Sequence, residues 1–502
     1  MNYRDRIFQQ EGESFPGKTY VEVVLAPAFH EAKNHLLQPM MAINKAHLVM
    51  LREQELLTDT EAKAIAQALV GIEMEELRHS AYTGQFEDLF FQVESRLLEL
   101  APDVAGNLHL ARSRNDMGIA IYRMVLREKL LVTLESALYL KEHLLLFAQE
   151  HAETVMIGYT HTQQAQPTTM AHYIMAAVDL LSRDIKRLLN AYRTCNRSPM
   201  GAAALTTSGF AISRERMKEL LGFDELVENS YDAVCGADYL GEAATAIQLA
   251  AINLGRTVQD MLLWCTQEFS GLKVASPYVQ ISSIMPQKRN PVSFEHMRSL
   301  LSSSAGNAQT VLTMMHNTPF GDIVDTEDDM QPYVWKSMSV LEQMYRLMAC
   351  VVGTMEVNKA GLLERAKGSF ATVTELADTL VRTDHLSFRN SHHIVSKVVK
   401  EAMAAGLKAD QISLELVNRA ALEVIGKELA ITAEELRLAL DPVHFVRIRK
   451  LPGGPNADEI KRMIQERTAS LRAETSWLSQ EKQEREQTWK RLDQIIADWS
   501  VG

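Results

Sequence analysis

Long stretches without helix-breaking residues most constrain what this chain can fold into. Neither proline nor glycine occurs between residues 119 and 149, and apolar side chains recur there every three to four residues. Four further segments show helical periodicity, at residues 168–195, 238–269, 291–314 and 332–352. These segments exceed the average helix of about 11 residues, so they predict an all-α protein built on a bundle of long helices.

One of these helices lacks a polar face. Residues 243–252 read AATAIQLAAI, which is apolar almost all round. A helix of this kind is buried on every side. Two interpretations follow: either the bundle is the core of one large domain, or chains associate through it.

Breaks in the helical pattern divide the chain into three predicted domains. Residues 1–115 hold shorter helices, such as one at 58–79, and a weak strand candidate at 19–24. Residues 116–360 form the long-helix domain. Residues 361–502 form a second helical domain, interrupted at 440–442 and 452–455, with a charged helical tail from 457 to 500. Because both charge signs are mixed along the tail, we expect it to pack on its own protein rather than on a membrane.

Composition excludes several classes of function. Lys and Arg number 52 and Asp and Glu 64, a net charge of −12, which does not suit a general nucleic-acid binder. The four cysteines include no CxxC pair, so neither a disulfide framework nor a zinc site is expected. We see no signal peptide, no membrane span and no nucleotide-binding glycine motif, and we expect a cytoplasmic protein without cofactor or metal.

The most unusual loop reads SSIMPQKRNP at residues 282–291. Asn290 is a natural N-cap and Pro291 a natural first residue of a helix, which predicts a helix start just after Lys288. Serine, lysine and free helix amides together suit a carboxylate. The alternative is that the two serines merely form a turn.

Two more segments contain candidate binding residues. GYTHTQQAQP, residues 158–167, separates two long helices and offers His161 as a proton carrier, although a loop histidine is more often simply solvated. RSRND, residues 112–116, has the composition of a carboxylate site at a helix start, or of an ordinary cap with surface arginines. The acidic run at 322–329 lacks the pattern of an EF-hand and either holds a cation or is a solvated loop.

Taken together and in this order, these segments resemble the fumarase/aspartase superfamily, and within it the argininosuccinate lyase family. The loop at 282–291 matches the superfamily signature. The closer match is carried by RSRND (112–116), GYTHTQ (158–163), ENSYDA (228–233), FATVTELAD (370–378) and LDP (440–442). The resemblance covers roughly residues 40–465.

The resemblance implies a three-domain, nearly all-helical subunit that forms a homotetramer with active sites shared between subunits. It also implies elimination of an amine from an N-substituted aspartate, with release of fumarate. Ser282 matches the catalytic base, His161 the proton donor, Glu295 its partner and Lys288 a charge-stabilising group. The residues implied to bind substrate are Arg112, Ser113, Asn115, Thr160, Gln163 and Asn290, together with Asp322 and Glu327.

The sequence departs from the family mainly where the amine would be held. Three family positions, a tyrosine, a glutamine and a lysine, fall on Asp322, Glu327 and Met330, and a family arginine is replaced by Ala237. Such a pocket should reject an extra carboxylate and accept a cation. The amine is therefore either arginine or a different, cationic amine, as in a lyase of ethylenediaminedisuccinate. A third alternative is a non-catalytic structural member of the superfamily, as lens crystallins are.

Overall fold

The computed structural model describes residues 2–501 and is almost entirely helical. The bundle consists of α8 (Arg114–Glu150), α9 (Met170–Cys195), α12 (Asp238–Trp264), α13 (Val292–Met315) and α14 (Gln331–Val352). Before it come α1 (Tyr3–Glu11), α2 (Lys18–Tyr20), α3 (Ala26–His35), α4 (Leu37–Glu53), α5 (Asp59–Gly71), α6 (Met74–His79) and α7 (Leu89–Leu100). Between bundle helices lie α10 (Arg214–Leu221) and α11 (Ser230–Cys235). After it come α15 (Lys359–Gly368), α16 (Val373–Asp384), α17 (Phe388–Ala404), α18 (Leu414–Ile425), α19 (Ala433–Leu440), α20 (Pro442–Arg447) and α21 (Ala457–Val501).

Strands are short and pair in twos within the described part of the chain. β1 (Val155–Thr160) pairs with β2 (Gln163–Thr169), β3 (Arg197–Ser198) with β4 (Glu225–Leu226), β5 (Leu272–Lys273) with β8 (Glu356–Val357), and β6 (Gln280–Ile281) with β7 (Arg289–Asn290). The predicted all-α class is therefore confirmed. The weak strand candidate at residues 19–24 is wrong, because α2 and a π-helical turn occupy this stretch.

Helix α8 is the central helix of the bundle, and buried residues cover most of its circumference. Twenty-four of its 37 residues are buried, and they face α9, α14 and α21. Helix α12 packs on α13, α9 and α14, yet Ile252 remains 48% exposed on its outer side. Most of the apolar segment 243–252 thus lies in the core of this chain, while one stripe stays open.

Buried residues form three large hydrophobic clusters. One fills the bundle, one joins α3–α5 and α7 to the start of α8, and one lies among α16–α19. The second cluster also includes residues of α10 and α21, and the three proposed domains stay a prediction.

The predicted charged tail is one helix, α21, and it packs on its own chain. Leu492 and Ile496 are buried in the cluster formed by the N-terminal helices. The buried Lys141 of α8 pairs with Glu474 at 2.7 Å, and Arg485 donates to the hydroxyl of Tyr192 at 2.7 Å. Because an unpaired buried charge destabilises strongly, the Lys141–Glu474 ion pair and the hydrogen bond of Arg485 fix the register of α21 against the bundle.

Among residues 2–501 no helix combines the length and the apolar character needed to cross a membrane.

Candidate active site

The loop with the paired serines is closed by a short hairpin. Gln280 pairs with Asn290 and Ile281 with Arg289, so Ser282 and Lys288 face each other at the base of the exposed loop 282–288. The Oγ atom of Ser282 accepts a hydrogen bond from the backbone N–H of Met285 at 3.1 Å. The turn-forming role of this serine is therefore present. The same N–H group stabilises negative charge on Oγ, as a base requires.

The helix after this loop begins one residue later than the sequence predicts. Asn290 belongs to β7, and Pro291 is the N-cap of α13, with φ −77° and ψ 55°. The predicted N-cap is wrong because the ladder with Gln280 holds Asn290 in an extended conformation. No side chain caps α13, so its first N–H groups are free for an anion. Glu295 is exposed in the first turn of this helix.

His161 lies at the tip of a β-hairpin rather than in an irregular loop. Thr160 pairs with Gln163, which leaves His161 and Thr162 as a two-residue turn, with φ +50° and +61°. Such turns favour Asn-Gly, so a histidine followed by a β-branched residue is strained there. Strain of this kind is typical of functional positions. The side chains of Thr160, His161 and Gln163 are exposed.

At the start of α8 both the cap and the candidate binding residues are present. Ser113 is the N-cap; its Oγ accepts from the backbone N–H of Asn115 at 3.2 Å and donates to Asn115 Oδ1 at 2.8 Å. Arg112 is only 8% exposed and donates to Asn44 Oδ1 at 2.7 Å. Burial lowers the pKa of Arg112 to about 10. Arg112 is thus already engaged within the chain, whereas Arg114, which we did not select from the sequence, is exposed and bound to Asp88 at 2.9 Å.

Two acidic side chains meet before α14. Burial, together with the neighbouring Asp322, raises the pKa of Glu327 to about 9. Glu327 Oε1 reaches α8, since it lies 3.9 Å from the position that a Cβ atom on Gly118 would occupy. The Tyr122 hydroxyl, also on α8, donates to Asp328. The acidic segment is therefore packed against the start of α8 rather than being a freely solvated loop. No group of three or more potential metal ligands occurs within residues 2–501.

Replacement of Glu327 by Gln tests this carboxyl pair through stability. Folded Glu327 keeps its proton up to about pH 9, whereas the unfolded chain loses it near 4.5, so wild-type stability falls as pH rises through this window. Gln carries no such proton, and we expect the melting temperature of the variant relative to wild type to be higher at about pH 8 than at about pH 5. Thermal melts at both pH values measure this difference. The exposed Asp329→Asn is the control, and an equal difference at both pH values would contradict the pairing.

The candidate residues divide between the two ends of the bundle. With 37 residues, α8 is about 55 Å long. Helix α14 runs parallel to it, because Tyr122 contacts Asp328 near one end and Ser136 contacts Glu342 further along. Arg112, Ser113, Asn115, Asp322 and Glu327 lie at the amino end of α8, while Thr160, His161, Gln163, Ser282, Lys288, Asn290 and Glu295 lie at the opposite end. One chain alone therefore does not bring all of them together.

Comparisons with known proteins agree over nearly the whole length. A family profile described as "Lyase" matches residues 4–306, and one described as "Argininosuccinate lyase C-terminal" matches residues 370–447. Argininosuccinate lyase 2 of Agrobacterium fabrum is 40% identical over 455 residues, 90% of each chain. Argininosuccinate lyase 1 of Shouchella clausii is 35% identical, over 93% of this chain and 94% of its own.

Solved structures show the same architecture. A crystal structure of EDDS lyase in complex with formate superposes with a TM-score of 0.86 at 31% identity, over 95% of this chain and 96% of that one. The 3-carboxy-cis,cis-muconate lactonizing enzyme of Pseudomonas putida, at 19% identity and a TM-score of 0.71, shares the fold.

The long-helix bundle and the loops at its ends define the class: a lyase of the fumarase/aspartase superfamily, an enzyme that breaks carbon–nitrogen bonds and releases fumarate. Within that class, the chain belongs to the argininosuccinate lyase family.

Proposed function

We propose that the enzyme removes an amine from an N-substituted aspartate by anti β-elimination, with Ser282 as the base. The hairpin loop carries this proposal: by its register, Ser282 and Lys288 stand at matching positions of one short loop that directly precedes the uncapped start of α13. A hydroxyl, a cation and free amides in one loop are what removal of a proton next to a carboxylate demands.

The physical difficulty lies in the charge that the reaction creates. A proton next to a carboxylate is very weakly acidic, and its removal builds a dianion on the carboxylate oxygens. In the proposed site, the first N–H groups of α13 and the side chains of Lys288 and Asn290 stabilise that dianion. Because the β6–β7 ladder holds the backbone of Asn290 directly before α13, Asn290 and the first N–H groups of α13 need little reorganisation during the reaction.

The remaining predicted residues serve the leaving nitrogen and the succinate part. His161 delivers a proton to the nitrogen, and Glu295 orients and charges that histidine. Thr160, Gln163, Ser113 and Asn115 bind the carboxylates of the succinate part, with Arg112 as a buried support. The capping hydrogen bonds of Ser113 support its role, because they hold its side chain in one orientation, and the strained backbone at His161 is typical of a functional position.

We propose a homotetramer whose active sites are shared between subunits. Two observations support it. The predicted residues lie at opposite ends of a bundle about 55 Å long, so a complete set requires more than one chain. An open groove of about 800 Å³ runs along α9, α12 and α13 and includes the exposed Ile252, which suits the packing of a second bundle. A cytoplasmic location completes the proposal, in keeping with four cysteines that are free in the described residues.

A second candidate concerns the amine. Burial, together with the neighbouring Asp322, raises the pKa of Glu327 to about 9, and the two acids stand where the family resemblance places the amine subsite. A cationic amine would take the place of the proton on Glu327 and balance the charge left on that carboxylate, whereas an additional carboxylate on the amine would be repelled. This observation favours a leaving amine with a positive charge beyond the reacting nitrogen, either arginine or another diamine-like group.

The test of the proposed function is amine addition in the reverse direction. The enzyme is incubated with fumarate and a panel of amines that includes arginine, ethylenediamine and an alkyl monoamine, which has no charged group besides the reacting nitrogen. Loss of fumarate absorbance and the masses of the products are followed. We expect an N-substituted aspartate from at least one amine with a second cationic group and none from the monoamine. No adduct with any amine, together with no cleavage of argininosuccinate, would contradict the proposed function.

A further inference from the structure

Asp116 has a hydrogen-bonding role that the predicted chemistry does not use. Its side chain is fully buried, and its two oxygens accept three backbone N–H groups. Oδ1 accepts from Ser113 at 3.1 Å, while Oδ2 accepts from Gly201 at 2.9 Å and from Ala203 at 3.0 Å. One carboxylate thus joins the start of α8 to a segment 85 residues further along the chain.

The joined segment adopts a backbone conformation that needs such an anchor. Gly201 has φ +80° and Ala203 φ +51°, a region that alanine rarely adopts. Residues beyond this anchor, at 204–211, are mostly exposed and include Phe210, which is 51% exposed. On its other side the segment is held by Arg214, whose Nε donates to the carbonyl oxygen of Met200 at 3.0 Å. The base of loop 204–211 is therefore fixed by Asp116 and Arg214, and its outer part makes few contacts within this chain.

We propose that Asp116 is a positioning residue for the reaction: its carboxylate sets the orientation of Ser113 and Asn115 relative to loop 204–211. The inference rests on the proposed function, in which Ser113 and Asn115 bind the succinate part of the substrate. Asp116 does not touch substrate itself. It acts through the helix start that it caps and through the loop base that it holds.

Only an acceptor with two free oxygens can fill this position. An asparagine of the same size offers one carbonyl oxygen and one NH₂ group, so at least one N–H donor loses its acceptor and faces that NH₂ group instead: Ser113 in one orientation of the amide, Gly201 and Ala203 in the other. An unpaired buried donor is destabilising, and the lost hydrogen bond releases either the helix start or the loop base. Asp116→Asn therefore changes the local geometry with almost no change in volume.

The experiment compares Asp116→Asn with the matched control Asp184→Asn. Asp184 is 2% exposed and lies in the middle of α9, where it accepts from Asn253 at 2.9 Å and from Arg187 at 2.8 Å. Both variants remove a buried carboxylate, so a general loss of stability should affect both. Steady-state kinetics with the N-substituted aspartate that the enzyme accepts, and inhibition by fumarate, are measured on tetramers isolated by size.

For Asp116→Asn we expect KM for the substrate and the inhibition constant for fumarate to rise at least about tenfold, because binding of the succinate part is lost before and during the reaction. For Asp184→Asn we expect both constants to stay within about twofold of wild type. A KM for Asp116→Asn equal to that of the control overturns the inference. If wild type itself turns over no N-substituted aspartate, the proposed function fails and the catalytic role of Asp116 fails with it.

Hydrogen exchange separates these two outcomes without any substrate. We expect the amides at the start of α8, those of residues 201–211, or both to exchange at least about tenfold faster in Asp116→Asn, with the remaining bundle amides unchanged, and no such change in Asp184→Asn. Unchanged exchange overturns the structural part of the inference, whatever the activity. Should Asp116→Asn yield no tetramer, Asp116→Glu keeps the charge, displaces the carboxylate by one methylene, and is expected to show the same rise in KM and in loop exchange.

Discussion

Replacing Ser282 by Ala is expected to lower kcat by about 10²- to 10⁴-fold, the range that a positioned general base contributes. The substitution removes only the hydroxyl group. The backbone N–H of Met285, which donates a hydrogen bond to this hydroxyl, lies in an exposed loop and can donate to water instead. Folding and assembly should therefore be unaffected. Release of fumarate, followed by its absorbance, measures kcat, and size-exclusion chromatography verifies the assembly.

The neighbouring serine provides the control for this substitution. Ser283 lies in the same exposed loop, and Ser283→Ala is the control variant. We expect the kcat of Ser283→Ala to stay within about twofold of wild type, because Ser283 transfers no proton in the proposed reaction. Full activity of Ser282→Ala would show that the base is another group. A wild-type tetramer that is as inactive as Ser282→Ala toward every substrate offered would instead favour the non-catalytic alternative.

Mixing two inactive variants is expected to restore activity. In Asn115→Ala one end of the bundle is defective and in Ser282→Ala the other, and α8 separates these ends by about 55 Å. If each site takes these two residues from different subunits, random mixing gives about a quarter of the sites an intact residue at both positions. Recovery of up to about a quarter of wild-type activity is therefore expected after joint refolding or coexpression.

The control is a mixture of two variants that are defective at the same end of the bundle. Ser282 and Lys288 lie in one loop of one chain, so mixing Ser282→Ala with Lys288→Ala leaves a defect in every loop and should restore nothing. Mixed tetramers of Asn115→Ala and Ser282→Ala that remain inactive, with the mixing verified by distinct affinity tags, would contradict the shared site.

Helix periodicity was enough to place the bundle. The segment expected at residues 238–269 is observed as Asp238–Trp264, and that at 332–352 as Gln331–Val352. This agreement has a physical reason: a helix lets a long amphipathic or apolar segment pair all its backbone hydrogen-bonding groups while it buries its apolar side chains. The hairpin around His161 was missed because its two-residue turn, His161-Thr162, lacks the Asn-Gly type of sequence that marks a hairpin.

Sequence motifs were sufficient to select candidate residues, but they did not predict the local structure and contacts of those residues. The loop at 282–291 is recognisable from its letters, but its helix start shifted because pairing of Asn290 with Gln280 overrides its capping preference. Arg112 and Arg114 look equivalent in RSRND, and only the fold shows that the first is buried against Asn44. Asp116 could not be singled out, because its partners Gly201 and Ala203 are remote in sequence.

The packing of α21 on the N-terminal helices also affects how this protein can be made. Lys45 and Asp493, which form an ion pair at 2.6 Å, are 448 residues apart, and Leu492 and Ile496 complete the hydrophobic cluster of which α4 is part. A ribosome adding 5–20 residues per second needs about 20 to 90 s to bridge this interval. During that time the cluster of the N-terminal helices lacks the residues of α21 that complete it. We therefore expect folding in a cell to draw on chaperones, and aggregation to increase when translation stalls late.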